Sequence, residues 1–226
     1  METGRILGGT KEAAARAAEL GESKPDARIV TSLAGRTREP APVAGEVRVG
    51  GFGGTGGLAK WINREHVTQV IDATHPFATQ ISSNAKQACN QTNTPLEIRT
   101  RALWPRQAGD DWREVENIDA AIDEIPPAAR VLLALGSQHI APFAKRSDVW
   151  FLVRMVDPPD KAPPLPHHEL LLQRPSPDWR KERDVLVHHA ISHIICRNSG
   201  GPGAYAKIEA ARDLGLPVIM IGRPSG

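Results

Sequence analysis

Short apolar runs alternate with helix-forming segments along the first hundred residues. The apolar runs predict strands over residues 6–7, 28–33, 43–49, 67–73 and 95–99. The segments between them predict helices over residues 11–20, 58–65 and 79–90, with Gly21 ending the first helix as a C-cap. Strands that alternate with helices indicate βαβ units on a parallel sheet, and right-handed crossovers then place helices on both faces.

The same alternation resumes in the second half of the chain. It predicts strands over residues 131–135, 150–156, 193–196 and 218–221, and helices over residues 178–190 and 205–214. Residues 101–112, interrupted by tryptophan, proline and glycine, are predicted to join two α/β domains, 1–100 and 101–226. The proline-rich residues 158–166 are predicted to form an extended loop.

Composition and charge exclude several classes of protein. The 28 basic and 26 acidic side chains are spread along the chain, without the clustered basic stripe that nucleic acid requires. No run approaches the roughly 20 apolar residues of a membrane span, and no leader is visible, so we predict a cytoplasmic protein without a membrane partner. Two distant cysteines and pairs of adjacent histidines predict neither a disulfide framework nor a metal site.

The first candidate for binding chemistry is the turn that follows the first strand. Gly8, Gly9 and Thr10 lead directly into a helix, where bare backbone amides and the helix dipole favour a pyrophosphate. The pattern is an incomplete G-x-G-x-x-G, because Glu12 or Ala13 stands at the third glycine position. A plain tight turn is therefore the alternative for this motif alone.

The end of the second strand favours NADP(H) over NAD(H). Ser32, Ala34, Gly35 and Arg36 lie there without an acidic residue among them. An acidic side chain at this place holds the ribose 2′-hydroxyl, whereas arginine accommodates a 2′-phosphate. The alternative for Arg36 is a solvated loop charge.

Two further turns follow the third and fourth strands. Gly50 and Gly51 open a cluster of six glycines in residues 50–57, whose bare backbone suits a flat ring or a phosphate; a flexible connection is the alternative. His75 follows the fourth strand, at the edge where open α/β sheets bind ligands. It could donate a hydrogen bond or relay a proton, or it could be purely structural.

The second half carries a similar turn between a strand and a helix. Asn198, Ser199, Gly200 and Gly201 precede a helix that contains Lys207, and such an edge can bind anions. A capped turn with a surface lysine is the alternative. A second turn, residues 136–138, lacks the G-x-S-x-G pattern of a nucleophile elbow, so serine hydrolase chemistry is not predicted.

Taken together, these segments resemble the precorrin-6A reductases of cobalamin biosynthesis over nearly the whole chain. The matching segments are residues 6–10, 32–37, 48–54, 72–78, 198–201 and 206–207. The resemblance implies two Rossmann-like domains, with parallel sheets flanked by helices and an active site in the interdomain cleft. It also implies an NADP-dependent oxidoreductase that acts on a CH–CH bond, reducing one double bond of precorrin-6A to give precorrin-6B.

The resemblance assigns expected roles to the candidate residues. Gly8, Gly9 and Thr10 would cradle the pyrophosphate of NADPH, and Ser32 with Arg36 would hold its 2′-phosphate. The nicotinamide would lie beside Thr74, His75 and Phe77. The macrocycle and its carboxylate arms would face Asn198, Ser199, Gly200, Gly201 and Lys207. The sequence departs from the family at residues 173–176, where a Gly-Pro-Phe turn is more frequent, and at Arg197, where lysine is common.

Reduction of a conjugated double bond also requires a proton, for which the sequence offers three candidate donors. These are His75, Tyr205 and Lys207, with solvent as the alternative. Other functions also remain open. They are the cobalt-precorrin-6A reductase of the anaerobic route, a different NADP-dependent reductase and a non-catalytic NADPH-binding module. Neighbouring enzymes of the pathway are candidate partners.

Overall fold

The computed structural model describes residues 3–35 and 42–223, which divide into two compact units. The first unit extends to Thr100, and the second begins at Arg101. Each unit contains one sheet in which all strands run parallel, flanked by helices. The predicted α/β class with two parallel sheets is confirmed.

The first unit has the strand order of a dinucleotide-binding sheet. Its elements are β1 (Thr3–Leu7), α1 (Lys11–Ser23), β2 (Arg28–Leu33), β3 (Glu46–Val49), α2 (Gly54–Arg64), β4 (Gln69–Asp72), α3 (Thr79–Thr92) and β5 (Leu96–Ile98). The strands lie in the order β3-β2-β1-β4-β5. The direction of the chain across the sheet reverses between β1 and β4, so the topological switch point lies at the carboxyl ends of these two strands.

Both faces of this sheet are apolar, because helices cover both. On one face Ile6 and Ile71 pack with Ala13 and Ala17 of α1. The opposite face packs against α2 and α3; its buried members include Leu7, Val30, Val70, Leu58, Ile62, Ala85 and Ala88. Strands that are covered on both sides read as continuous apolar runs, which is why the sequence predicts them well.

The two largest differences from the predicted helix boundaries of the first unit are at the end of α1 and at the start of α2. Helix α1 does not end at Gly21 but continues to Ser23, whose hydroxyl donates to the Glu19 carbonyl at 2.8 Å. The C-cap is Lys24, which donates its N–H to the Leu20 carbonyl. Helix α2 begins at Gly54, four residues earlier than predicted, because burial of its apolar face outweighs the low helix propensity of glycine.

The second unit is a six-stranded sheet. Its elements are β6 (Trp112–Val115), α4 (Ile118–Asp123), β7 (Arg130–Ala134), β8 (Trp150–Met155), β9 (His168–Leu172), α5 (Trp179–His188), β10 (His193–Arg197), α6 (Ala206–Leu214) and β11 (Val218–Ile221), with short 3-10 helices at Ser137–His139, Ala141–Lys145 and Pro202–Ala204. The order is β6-β11-β10-β7-β8-β9, which reverses between β7 and β10.

Three elements of the second unit were missed by the sequence prediction. Strands β6 and β9 are the two edges of the sheet, so they are partly exposed and carry polar residues that break an apolar run. Helix α4 has only 6 residues. Its one local signal is Asn117, whose side chain accepts a hydrogen bond from the Ala120 N–H at 2.9 Å, as an N-cap does.

Candidate functional site

The turn after β1 is joined to the end of β4 by side-chain and backbone contacts. The Thr10 hydroxyl donates to the Ala73 carbonyl at 2.8 Å and accepts from the Ala13 N–H at 3.1 Å, so it also caps α1. Gly8 has a φ of +135°, and a Cβ there would lie 2.6 Å from the Ala73 oxygen. Only glycine therefore lets the two turns of the switch point approach so closely.

This turn leaves backbone amides available for an anion. Within residues 3–35 and 42–223, no acceptor is found for the N–H groups of Gly9 and Thr10. They stand at the N-terminus of the 13-residue helix α1, whose dipole favours negative charge. Ala13 is fully buried against β1 and β4, so it fills the place where a dinucleotide fingerprint has glycine or alanine for close packing.

The carboxyl end of β2 adds a hydroxyl group. Ser32 is 7% exposed and pairs with Leu7 in the sheet, and its Oγ has no hydrogen-bond partner among the described residues. Ala34 and Gly35 follow and are exposed; Gly35 has a φ of +73°, which favours glycine. Arg36 lies outside the described residues, so its expected role in holding a phosphate stays a prediction.

The glycine cluster has a fixed backbone in its first half and is helical in its second. Gly50 donates its N–H to the Leu33 carbonyl at 2.9 Å. The Arg48 guanidinium donates to the carbonyls of Gly50 and Gly51 at 2.5 and 2.8 Å, and it lies 4.1 Å from the centre of the Phe52 ring. Arg48 lies in the matching segment 48–54, two residues before Gly50, but no role was predicted for it.

The turn after β4 is organised by a buried carboxylate. Asp72 is 2% exposed, and its Oδ1 accepts from the N–H of Thr74 at 3.0 Å and from the Thr74 hydroxyl at 2.6 Å. A side-chain oxygen that accepts from a backbone N–H two residues on is an Asx turn. The sequence analysis did not assign this role, although an aspartate two residues before a threonine was the signal for it.

The imidazole of His75 is exposed at this edge. Its Nδ1 accepts a hydrogen bond from the Phe77 N–H at 3.3 Å, and the two rings lie 5.9 Å apart. A neutral imidazole whose Nδ1 accepts must carry its proton on Nε2. The contact with the Phe77 N–H therefore selects the tautomer of the neutral His75 ring.

In the second unit, the turn of residues 198–201 makes most of its polar contacts inside the protein. The Asn198 side chain accepts from the Trp104 N–H at 2.9 Å and donates to the Trp104 carbonyl at 3.2 Å. The carbonyl of Gly201 accepts from the Trp104 indole at 2.6 Å. Gly200 has a φ of +66°, and a Cβ there would lie 2.0 Å from the Ala102 carbonyl oxygen. Asn198 and Gly200 thus position the turn, while their expected contact with substrate stays a prediction.

Lys207 is buried, contrary to the alternative of a surface lysine. It is 3% exposed, and its ammonium group donates to the Ala204 carbonyl at 2.6 Å and lies 4.8 Å from the centre of the Trp104 ring. Burial lowers the pKa of Lys207, and the charge of Arg154 acts in the same direction. The nearby Cys196 thiol and Glu182 carboxylate oppose that shift.

Tyr205 is held at the start of the same helix. Its hydroxyl accepts from the Arg212 guanidinium at 2.7 Å, and Arg212 also pairs with Asp110 at 2.8 Å. The Tyr205 ring lies 5.7 Å from that of Trp104. Because the tyrosine oxygen accepts here, its own proton remains available for donation.

The structure gathers the predicted residues at the carboxyl edges of the two sheets, one group in each unit. In the first unit these are Gly8, Gly9, Thr10, Ser32, Gly50, Gly51, Thr74, His75 and Phe77. In the second they are Asn198, Ser199, Gly200, Gly201, Tyr205 and Lys207. Across the described part of the chain no three metal-ligating side chains cluster, and no helix there is long and apolar enough to cross a membrane.

Comparisons with known proteins agree along nearly the whole chain. The family described as Precorrin-6x reductase CbiJ/CobK matches residues 5–226. A precorrin-6A reductase of Rhodobacter capsulatus is 45% identical over 221 residues, which cover 97% of this chain and 87% of the relative. A cobalt-precorrin-6A reductase of Priestia megaterium is 29% identical over 235 residues, 97% of this chain and 89% of the relative. A solved structure named CobK precorrin-6A reductase aligns with a TM-score of 0.92 and 43% identity, covering 100% of this chain and 89% of that one.

The fold and the two switch points define a two-unit Rossmann-like α/β protein. The match of the family over residues 5–226, together with the relative at 45% identity, shows more: the chain belongs to the precorrin-6x reductase family. The named relatives are reductases, and the resemblance first read from the turns is confirmed.

The contact between Gly8 and Ala73 yields a prediction about stability. Gly8→Ala should destabilise the protein by at least about 1–3 kcal/mol, because alanine is strained at positive φ and its Cβ would collide with backbone. The measurement is urea unfolding, monitored by circular dichroism. Gly4→Ala is the matched control: Gly4 lies in β1, the strand that leads into the Gly8 turn, and a Cβ there meets nothing within 4 Å. Equal unfolding free energies for the two variants would contradict the account.

Proposed function

We propose that this protein reduces one double bond of precorrin-6A with NADPH as the hydride donor, giving precorrin-6B in cobalamin biosynthesis. The observation that carries the proposal is the similarity to precorrin-6A reductases over nearly the whole chain. The greater identity to these than to the cobalt-precorrin-6A reductases supports a metal-free substrate.

The residues of the first unit fit the phosphates of a dinucleotide. Gly9 and Thr10 offer unpaired amides at a helix N-terminus, which suits a pyrophosphate. The buried hydroxyl of Ser32 has no partner in the described part of the chain, and a phosphate oxygen would supply one. Arg36 follows within four residues and would add the charge that prefers NADPH to NADH.

The chemistry divides between the cofactor and the protein. When NADPH is bound, it supplies the hydride; the protein orients the reacting groups and provides a proton. Thr74 and Phe77 belong to the turn that would lie beside the nicotinamide, and Asp72 holds Thr74 in place. This turn lies at the same switch point as Gly9 and Thr10, so one edge of the sheet can hold both the pyrophosphate and the nicotinamide.

Among the candidate proton donors, His75 has the geometry that best suits the role. Its Nε2 is the protonated atom of the neutral ring, and the side chain is exposed at the edge proposed for the cofactor. Lys207 is buried and already donates to the Ala204 carbonyl. The Tyr205 hydroxyl accepts from Arg212 and keeps its own proton, but it belongs to the second unit, whereas His75 stands at the sheet edge proposed for the cofactor. We propose His75 as the general acid and assign Tyr205 and Lys207 to the substrate side of the second unit.

The function is tested by an anaerobic assay that follows NADPH absorbance with precorrin-6A and, separately, with its cobalt-containing counterpart. We expect NADPH oxidation with precorrin-6A and at least about tenfold lower kcat/KM with the cobalt compound. A preference for the cobalt compound would reverse the choice of substrate. NADPH binding without oxidation of NADPH by either tetrapyrrole would instead identify a non-catalytic module.

The same assay tests the phosphate contact when NADH replaces NADPH. Removing the guanidinium in Arg36→Ala should raise the KM for NADPH at least about tenfold and leave the KM for NADH nearly unchanged. Arg64→Ala is the matched control, since Arg64 is an exposed arginine of the same unit on α2. Unchanged discrimination between the two nucleotides would contradict the role of Arg36.

The role of His75 is tested by single-turnover hydride transfer. His75→Ala should slow transfer by about 10²-fold or more, because a positioned general acid contributes 10²–10⁴-fold. The exposed His167, which precedes β9, supplies the control His167→Ala. If His75→Ala keeps the wild-type rate while Tyr205→Phe or Lys207→Ala loses it, the proton comes from the second unit.

A further inference from the structure

The second unit has its own topological switch point, between β7 and β10. Two turns flank it: residues 136–139 follow β7, and residues 198–201 follow β10. The strands pair in register up to Ala134 and Cys196, so both turns leave the sheet at the same level. In open parallel sheets, ligands bind outside the carboxyl ends of the strands at this point.

In the turn after β10, the Asn198 amide and three backbone carbonyls are bonded within the protein. Both ends of the Asn198 amide are bonded to the backbone of Trp104, and the Gly201 carbonyl accepts from the Trp104 indole. The carbonyls of Asn198 and Ser199 accept from the Arg223 guanidinium at 3.2 and 3.0 Å. The Asn198 side chain and the carbonyls of Asn198, Ser199 and Gly201 thus make their contacts inside the protein.

The turn after β7 is different. Ser137 and Gln138 are both exposed, and the Ser137 hydroxyl makes no hydrogen bond within the described residues. The Gln138 side-chain nitrogen lies 2.8 Å from Nε2 of His139. An amide nitrogen carries two hydrogens, so contact with the imidazole orients Gln138 and leaves one N–H for a ligand.

We propose that Ser137 and Gln138 bind a carboxylate arm of the tetrapyrrole substrate, an inference that rests on the proposed function. A hydroxyl and an amide N–H on adjacent residues can both donate to the oxygens of one carboxylate. No acidic side chain lies in residues 136–139 to repel it. In this proposal residues 136–139 bind the substrate. Residues 198–201 fix the shape of the neighbouring edge of the sheet.

The test compares KM values for the tetrapyrrole and for NADPH. Gln138→Glu keeps the size of the side chain but places a negative charge against the substrate carboxylate. We expect the KM for precorrin-6A to rise at least about tenfold, with the KM for NADPH within about twofold of wild type. Ser137→Ala should raise the KM for precorrin-6A by a smaller factor and also leave that for NADPH unchanged.

Gln107→Glu is the matched control. Gln107 is an exposed glutamine of the same unit, in the segment before β6 and outside residues 136–139 and 198–201. This variant should keep the wild-type KM for precorrin-6A.

The outcomes separate this inference from the proposed function. If the wild-type protein does not oxidise NADPH with precorrin-6A, the proposed function fails and the inference fails with it. If the wild-type protein is active but Gln138→Glu and Ser137→Ala keep its KM for precorrin-6A, the inference alone is overturned. A rise in KM that is equal for precorrin-6A and NADPH, or equal in Gln138→Glu and Gln107→Glu, would also overturn it.

Discussion

The hydrogen bond from the Thr10 hydroxyl to the Ala73 carbonyl is the contact on which the first unit's binding edge depends. It joins the turns after β1 and β4, which are separated by 63 residues in sequence. The same hydroxyl caps α1, so one side chain fixes both the helix that presents amides and the turn that carries His75. Gly8 makes this approach sterically feasible, because a Cβ at its position would overlap the Ala73 oxygen. The amides of Gly9 and Thr10 stand at the N-terminus of α1 without an acceptor among the described residues, and they give the edge its affinity for phosphate in the proposed function.

Much of the fold could be predicted because it follows from periodicity. The bounds of β2 and β11 were predicted to the residue, since both strands are covered on two faces and read as apolar runs. The glycines predicted helix ends in two places where the helix includes them. Helix α1 continues through Gly21, and the first turn of α2 contains three glycines. In α2 the burial of an apolar face outweighs the low helix propensity of glycine, and in α1 a hydrogen bond from the Ser23 hydroxyl to the Glu19 carbonyl closes the last turn. The edge strands β6 and β9 were missed because they are partly exposed. Their sequences therefore lack the continuous apolar run by which the buried strands were predicted.

The candidate site could be predicted only as far as its turns. Strand–glycine–helix junctions are visible in sequence, and they led to Gly8, Ser32 and His75. What a polar side chain contacts is not visible there. Asp72 accepts from Thr74 and Arg48 donates to the Gly50 carbonyl, so each fixes the turn that follows its strand. Asn198 accepts from the N–H of Trp104, which is 94 residues distant. These pairings join residues that are distant in sequence, so they depend on the tertiary fold. In the second unit they leave residues 136–139 as the turn that we propose for the substrate carboxylate.

The most direct test of the central claim follows the amides of Gly9 and Thr10 while NADPH binds. Amide resonances or hydrogen-exchange rates of the intact protein, measured with and without NADPH, report on these two groups individually. The account predicts that both amides shift and exchange more slowly in the complex, because each gains a phosphate acceptor. Unchanged Gly9 and Thr10 amides in a protein saturated with NADPH would contradict it and place the nucleotide elsewhere.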